Sequence, residues 1–203
     1  LDNAHLSYKS QRHDSIAGFD ARNFTLREID FAISDIEVGT TTRFTLENLS
    51  LQSPGNVNIN NLLVKASLSP SEKRLEDLVL LTDKSNVILR EFVWQQEADT
   101  TGSFWNSNSL KAYIADGSFI DGKELSYFLP DSFPAVNNLE LSGRLGMGQD
   151  SAYARDFRLT YGNSNHLIAD GRVKGFMHKD SMRGDIRIKH MLLQTRDILS
   201  GVS

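Results

Sequence analysis

Two stretches, "NFTLREIDFAI" (23–33) and "RFTLENLSLQS" (43–53), share one pattern of apolar and polar residues. Each contains Phe-Thr-Leu, continues with two polar residues and then resumes apolar–polar alternation. Alternation with a period of two is typical of a β-strand that buries one face and exposes the other. Both stretches therefore predict β-strands.

The two adjacent polar residues interrupt the alternation inside each stretch. In a regular strand, the extra residue would turn the following apolar side chains to the wrong face. A β-bulge or a sharp corner absorbs this residue and keeps the apolar face continuous. The interruption occurs four times in the first eighty residues, at Arg27 and Glu28, Glu47 and Asn48, Asn60 and Asn61, and Glu76 and Asp77. These sites predict short strands that are bent at a repeated place and added edge to edge.

Alternation also continues through the rest of the chain, for example at 110–114, 139–141, 157–161 and 186–188. Turn-forming stretches such as "SPGN" (53–56) and "YGNSN" (161–165) separate the apolar runs. Together these features predict an all-β protein with one or two short helices. The 203 residues are interpreted as a single β-rich fragment of a longer protein, with a possible internal boundary or long loop near 95–109.

One segment departs from the strand pattern, in "DGKELSYFLPDSF". Asp121 is placed as the N-cap of a short helix over 122–129, and Glu124 three residues later completes a capping box. Pro130 ends this helix. A second short helix is expected to begin at Thr195.

Composition narrows the classes of function. The chain has a net charge of −4, and its cations are dispersed, which argues against a nucleic-acid partner. It contains no cysteine, so a disulfide scaffold and a thiolate metal site are excluded. No apolar run approaches the ~20 residues of a membrane-spanning helix. Any membrane anchor is therefore expected outside this fragment.

A search for catalytic chemistry yields no candidate. The five histidines have no acidic partner at a metal-ligand spacing, and the run from Asp116 places Ile120 where a calcium loop needs an oxygen. "GRLGMG" (143–148) is read as a strand with glycines where another backbone approaches or a bulge forms. We therefore expect no catalytic residue, no metal, no cofactor and no enzyme activity.

The apolar strand faces must be covered by something. Two sheets can pack as a sandwich, or one sheet can curl around an apolar ligand such as an acyl chain. The residues alone fit both arrangements, and the sandwich is the commoner one.

The order of the segments resembles the periplasmic region of the TamB/AsmA-like envelope proteins of Gram-negative bacteria, the translocation and assembly module family. The resemblance covers nearly the whole fragment. It is carried by several stretches in succession: "FTLENLSLQSPGNVNINNLLVKASLS", "RLEDLVLLTDKSNVIL", "LKAYIADGSFIDGKELSYFLPDSF", "NLELSGRLGMG" and "FRLTYGNSNHLIADGRVKG".

The resemblance implies a bent antiparallel sheet that forms a U-shaped groove, or β-taco, with an apolar interior. It also implies a periplasmic location, a tether to the inner membrane outside this fragment, and a part in outer-membrane biogenesis. The implied partners are phospholipid acyl chains, in lipid transport, or an outer-membrane β-barrel protein. A structural or adhesin-like β-scaffold that binds another protein or a glycan, with a dry core, is the alternative.

On this hypothesis the interrupted strands form the hydrophobic groove. Its candidate lipid-contacting residues are Phe24, Leu26, Ile29, Phe31, Phe44, Leu46, Leu49, Leu51, Val57, Ile59, Leu62 and Val64. The opposing interpretation is that these side chains pack against each other in a closed core.

Overall fold

Strands make up most of the chain. The computed structural model describes residues 2–9, 23–53, 57–96, 108–128, 138–148, 150–162, 164–175 and 181–194. The predicted all-β class is confirmed. The elements are β1 (Ala4–Lys9), β2 (Asn23–Glu37), β3 (Thr42–Gln52), β4 (Ile59–Leu68), β5 (Glu72–Thr82), β6 (Asn86–Gln96), β7 (Asn108–Ile114), β8 (Phe119–Ile120), α1 (Gly122–Phe128), β9 (Leu139–Gly148), β10 (Ser151–Tyr161), β11 (Asn165–Lys174) and β12 (Arg183–Leu192).

The described strands form one antiparallel sheet in which spatial order follows chain order. The two-residue strand β8 pairs with both β6 and β9, as β7 does, so β7 and β8 occupy one position between them. The sheet is therefore eleven positions wide, about 48 Å at about 4.8 Å per spacing. Strands β6 and β7, on either side of the expected boundary at 95–109, are paired, and residues 97–107 lie outside the described ranges.

Bulges occur at all four predicted sites. In β2, Leu6 and Ala4 of β1 pair with Leu26 and Ile29, so Arg27 and Glu28 oppose a single residue. Register shifts place further bulges at Glu47 in β3, Asn60 in β4 and Asp77 in β5. The structure adds bulges at Asp35, Arg90, Asp156 and Lys189, each in or beside a pair of polar residues between apolar ones.

Several of these bulges lie in line across the sheet. Asp77 of β5 stands opposite Arg90 of β6, which adjoins residues 115–118, where the chain leaves the sheet between β7 and β8. The line continues through Gly143 of β9, Asp156 of β10 and Lys189 of β12. We call this line the crease. Because each bulge bends its strand, aligned bulges bend the sheet along the crease.

Four acidic bulge residues have left-handed backbone conformations. Their φ angles are 49° at Glu28, 51° at Asp35, 51° at Asp77 and 48° at Asp156. Aspartate tolerates this region better than most residues because its short side chain can hydrogen-bond locally. Each carboxylate also accepts a hydrogen bond from a nearby strand; the donors are Gln52, Thr45 at 3.1 Å, Lys65 at 3.2 Å and Lys189 at 3.0 Å, respectively.

The glycines of 143–148 lie where neighbouring atoms come close, as predicted. A Cβ on Gly143, whose φ is +126°, would lie 2.8 Å from the Cα of Phe157. A Cβ on Gly148 would lie 2.7 Å from the Cα of Ser109. The ring of Tyr153 lies across Gly146. These contacts explain a strand with three glycines.

Helix α1 confirms the expected short helix, with Leu129 and Pro130 outside the described ranges. Asp121 is its N-cap, because its Oδ1 accepts from the amides of Lys123 and Glu124 at 3.0 and 3.1 Å. The predicted capping box is wrong in its second half. The Asp121 amide donates to Ser85 Oγ, and the Glu124 carboxylate binds the β5–β6 turn instead. The second helix, from Thr195, lies outside the described ranges.

Candidate functional site

Most of the large apolar side chains of the sheet lie on one face, which we call the apolar face, and a smaller group that includes Leu63, Val79 and Ile88 lies on the other. Residues paired across neighbouring strands point to the same side of a sheet. One such row runs from β3 to β11, and its successive partners are Phe44, Ala66, Leu75, Phe92, Ala112, Leu145, Ala154 and Gly171. No polar side chain interrupts this row. The bulges preserve this alignment, since each one restores the apolar side chains to the same face.

The structure brings the predicted candidate residues together on this face. Eleven of the twelve lie in β2, β3 and β4, and Val57 precedes β4. Cross-strand partners include Phe31 with Leu49 and Leu46 with Val64. Val64 is buried, with 8% exposure, and the others are half-buried. They therefore occupy the N-terminal third of one continuous face.

The apolar face continues along the chain beyond the predicted candidate residues. The apolar face extends through β5 to β10 with the same alternation that identified its first third. The additional large side chains are Leu75, Leu78, Leu80, Val87, Leu89, Phe92, Trp94, Leu110, Ile114, Leu141, Leu145, Met147, Phe157 and Leu159. Sequence alternation could have found each of them.

Charge is nearly absent from the apolar face. Among the described strand residues of the apolar face, Lys73 is the one charged side chain, and it lies at the start of β5. Its Nζ donates to the carbonyls of Ser69 and Pro70 at 2.7 and 3.1 Å and lies 6.0 Å from the centre of the Trp94 ring. Trp94 Nε1 donates to Asn108 Oδ1 at 2.7 Å. The polar groups of this face thus lie at its margin.

Most of the apolar face keeps partial contact with solvent. Among its apolar side chains in the described strands, Val64, Ala66 and Ile114 are buried. The inner side chains of a sandwich are covered by the second sheet. At the edge of the sheet, exposure rises to 66% at Ile186 and 53% at Ile188 in β12. The face is therefore accessible along much of its width.

Ion pairs on the opposite face connect neighbouring strands at the crease. Lys189 Nζ lies 2.7 Å from Asp170 and 3.0 Å from Asp156, which joins β10, β11 and β12. The hydrogen bond from Lys189, and then the one from the Asp156 amide, hold the pKa of Asp170 below its usual value. The same carboxylates, Asp170 first, raise the pKa of Lys189. Both shifts favour the charged forms of the two groups, so the ion pair is present at neutral pH.

Helix α1 lies at one end of the sheet, against the turn between β5 and β6. The Glu124 carboxylate accepts hydrogen bonds from the hydroxyls of Thr82 and Ser85 and from the Lys84 amide. The Gly122 amide donates to Asn138 Oδ1 at 3.1 Å, just before β9. These bonds fix the helix to strands on both sides of the β7–β8 position.

The described ranges contain no group of three or more histidine, aspartate or glutamate side chains arranged to hold a metal ion. None of their helices has the length and apolar character needed to cross a bilayer. The site is thus a protein surface defined by shape and apolarity.

The fold and this surface define a class: an all-β protein whose single creased sheet has one apolar, partly accessible face. No family model, curated protein or solved structure matches the chain.

Proposed function

We propose that the apolar face binds phospholipid acyl chains, and that the chain is a non-catalytic segment of a TamB/AsmA-like envelope protein that supports outer-membrane biogenesis. One observation carries the proposal. Over its eleven strand positions, the described part of the apolar face has one charged side chain and remains half-buried rather than covered. Such a surface is stable in water only with an apolar occupant or a shape that shields it.

The energy of acyl binding is adequate for this role. Each CH₂ removed from water contributes about 0.8 kcal/mol, so about ten buried CH₂ groups contribute about 8 kcal/mol. This gain exceeds the cost of lost translational and rotational freedom on association where that cost lies in the lower part of its range of about 4–15 kcal/mol. Binding is then reversible, as transport between membranes requires.

The crease supports the U-shaped groove of the β-taco. Bulges at Asp77 and Arg90 on the neighbouring strands β5 and β6, and at Asp156 on β10, lie at the same level of the sheet. A sheet that is bent along one line, with its apolar side inward, forms a trough parallel to that line. In this proposal the trough lies in the periplasm, tethered to the inner membrane through a segment outside this fragment.

Photo-crosslinking tests the proposal with adjacent positions on opposite faces. A photoreactive phenylalanine analogue is introduced at Leu46 or Phe92 on the apolar face, and at Thr45 or Glu91 on the other. Crosslinks to radiolabelled phospholipid are expected from the first pair. Equal labelling from all four positions, or none from Leu46 and Phe92, would reject acyl binding at this face.

Assembly of outer-membrane β-barrel proteins is a second candidate, favoured by the edge strand β12. Among the described strands, β12 pairs with β11 alone, and Ile186, Ile188 and Met191 are more than half exposed on it. An unpaired edge of this kind can accept a strand from another protein. Replacing Ile186 and Ile188 by lysine should then abolish co-purification of a barrel partner, whereas Leu46→Asp should not.

A further inference from the structure

The face opposite the apolar face carries two arginines directly across from one another. Arg144 of β9 and Arg155 of β10 are register partners, and Arg158 pairs with Ser142 on the other side of the Asp156 bulge. Like charges directly opposite in a sheet are destabilising. The pairing concentrates positive charge at this point of the sheet.

Aromatic rings, rather than carboxylates, hold these two arginines. The Arg144 guanidinium lies 4.7 Å from the centre of the Tyr113 ring, and that of Arg155 lies 5.3 Å from the centre of the Tyr153 ring. Neither forms an ion pair within the described ranges. A guanidinium that lies over an aromatic ring keeps its N–H groups available for a planar, bidentate contact with an anion.

A shallow cavity of about 260 Å³ lies beside these side chains. Arg144, Arg155 and Arg158 line it together with Tyr113, Ser142 and Gly143, and also with Asp116 and Asp156. Lys189 pairs with Asp156 at 3.0 Å. Asp116 is 79% exposed and lies 3.9 Å from Arg158. Three guanidinium groups thus face two carboxylates, one of which shares Lys189 with Asp170, and the cavity keeps a positive excess.

The surrounding half of the sheet is also positive, in contrast to the acidic chain as a whole. The described residues from 138 to 194 contain eight lysines and arginines against five aspartates and glutamates, whereas the chain has a net charge of −4. An asymmetry of this kind attracts anions to one region of a protein surface.

We propose that Arg144 and Arg155, with Arg158, form a binding site for a phosphate group on the face opposite the apolar face. Paired guanidinium groups match phosphate oxygens in charge and in geometry. The phosphate comes either from the headgroups of an anionic membrane or from a small soluble ion. The site is on the other side of the sheet from the acyl-binding surface, so it does not depend on the function proposed above.

The test uses the purified chain and a variant with Arg144→Gln and Arg155→Gln. Wild-type protein is expected to sediment with vesicles that contain phosphatidylglycerol and not with vesicles of phosphatidylcholine alone. The double variant should bind at least about tenfold more weakly, since two charge-assisted contacts are lost. Arg43→Gln, an exposed arginine 3.1 Å from Glu37 on the same face, is the matched control and should bind as wild type.

Inorganic phosphate distinguishes the two sources. A rise in the wild-type unfolding midpoint with millimolar phosphate, absent in the double variant, assigns the site to isolated phosphate. Vesicle binding without that rise assigns it to headgroups displayed on a membrane. The double variant should also be at least as stable as wild type at low salt, because a like-charge contact is removed. Equal responses of wild type and the double variant to both vesicles and phosphate, or a wild-type protein that responds to neither, would overturn the proposal.

Discussion

Substituting Ala112 with tryptophan separates an accessible apolar face from a closed core. Ala112 lies in the middle of the sheet, half-buried between its partners Phe92 and Leu145. An indole at this position extends away from the sheet on the apolar side. If that space is open to an acyl chain, the strand keeps its register and the indole occupies the ligand's place.

A closed core and an accessible apolar face predict different changes in the free energy of unfolding and in the free energy of acyl binding. Overpacking a closed core costs about 1–3 kcal/mol, whereas an accessible position should change the free energy of unfolding by less than about 0.5 kcal/mol. For the ligand, displacement of about five CH₂ groups at about 0.8 kcal/mol each removes about 4 kcal/mol of binding. That corresponds to close to a thousandfold in Kd.

Urea unfolding followed by circular dichroism measures the first quantity, and displacement of a fluorescent fatty acid measures the second. Lys111→Trp is the matched control, because the neighbouring residue of β7 lies on the opposite face and is exposed. It should leave acyl binding unchanged. A destabilisation of about 1–3 kcal/mol in Ala112→Trp, with no change in the control, would refute the open-face reasoning and indicate a covered core.

Three further predictions concern the crease. Asp77→Val should destabilise by about 1–2 kcal/mol because a β-branched residue is strained at a φ of 51°, whereas Asp77→Gly should be nearly neutral; equal losses in urea unfolding would argue against backbone strain. Gly143→Ala should cost about 2–3 kcal/mol through its backbone contact, while Gly184→Ala, whose Cβ would meet Val173 at an ordinary 3.5 Å, should stay within about 0.5 kcal/mol. The lowered pKa of Asp170 gives stability that is present above about pH 4 and lost as the pH falls through the folded-state pKa. Urea midpoints between pH 2.5 and 6 should therefore fall more steeply for wild type than for Asp170→Asn, and parallel curves would contradict the role of the Lys189 pair.

Much of the sheet could be predicted from sequence, because the faces of a strand and its bulges depend on residues that are close together in the sequence. A pair of polar residues between apolar ones marks the bulges at Glu47 and Asn60, and the same signal at Arg90 and Lys189 was available. The crease could not be predicted in this way. Its alignment depends on the register of strands far apart in the chain, and register becomes visible only when the strands are paired.

Tertiary contacts also explain the one local error and the site that sequence reasoning missed. Glu124 has the spacing of a capping box, yet two hydroxyls of the β5–β6 turn and the Lys84 amide attract its carboxylate more strongly than the helix start does. Arg144 and Arg155 lie eleven residues apart in the sequence, and no sequence pattern links them. Their opposition appears only through the β9–β10 register, and the Tyr113 contact only through the β7–β9 register.

In the proposed function, the apolar face is a lipid-accessible groove. Native mass spectrometry of the chain, purified without detergent from a cell envelope, tests it most directly. Wild-type protein should carry co-purified phospholipid in stoichiometric amount, and Ala112→Trp should carry little while remaining folded. A folded, stable wild-type protein that carries no lipid would contradict the claim and indicate an apolar face closed by its own side chains.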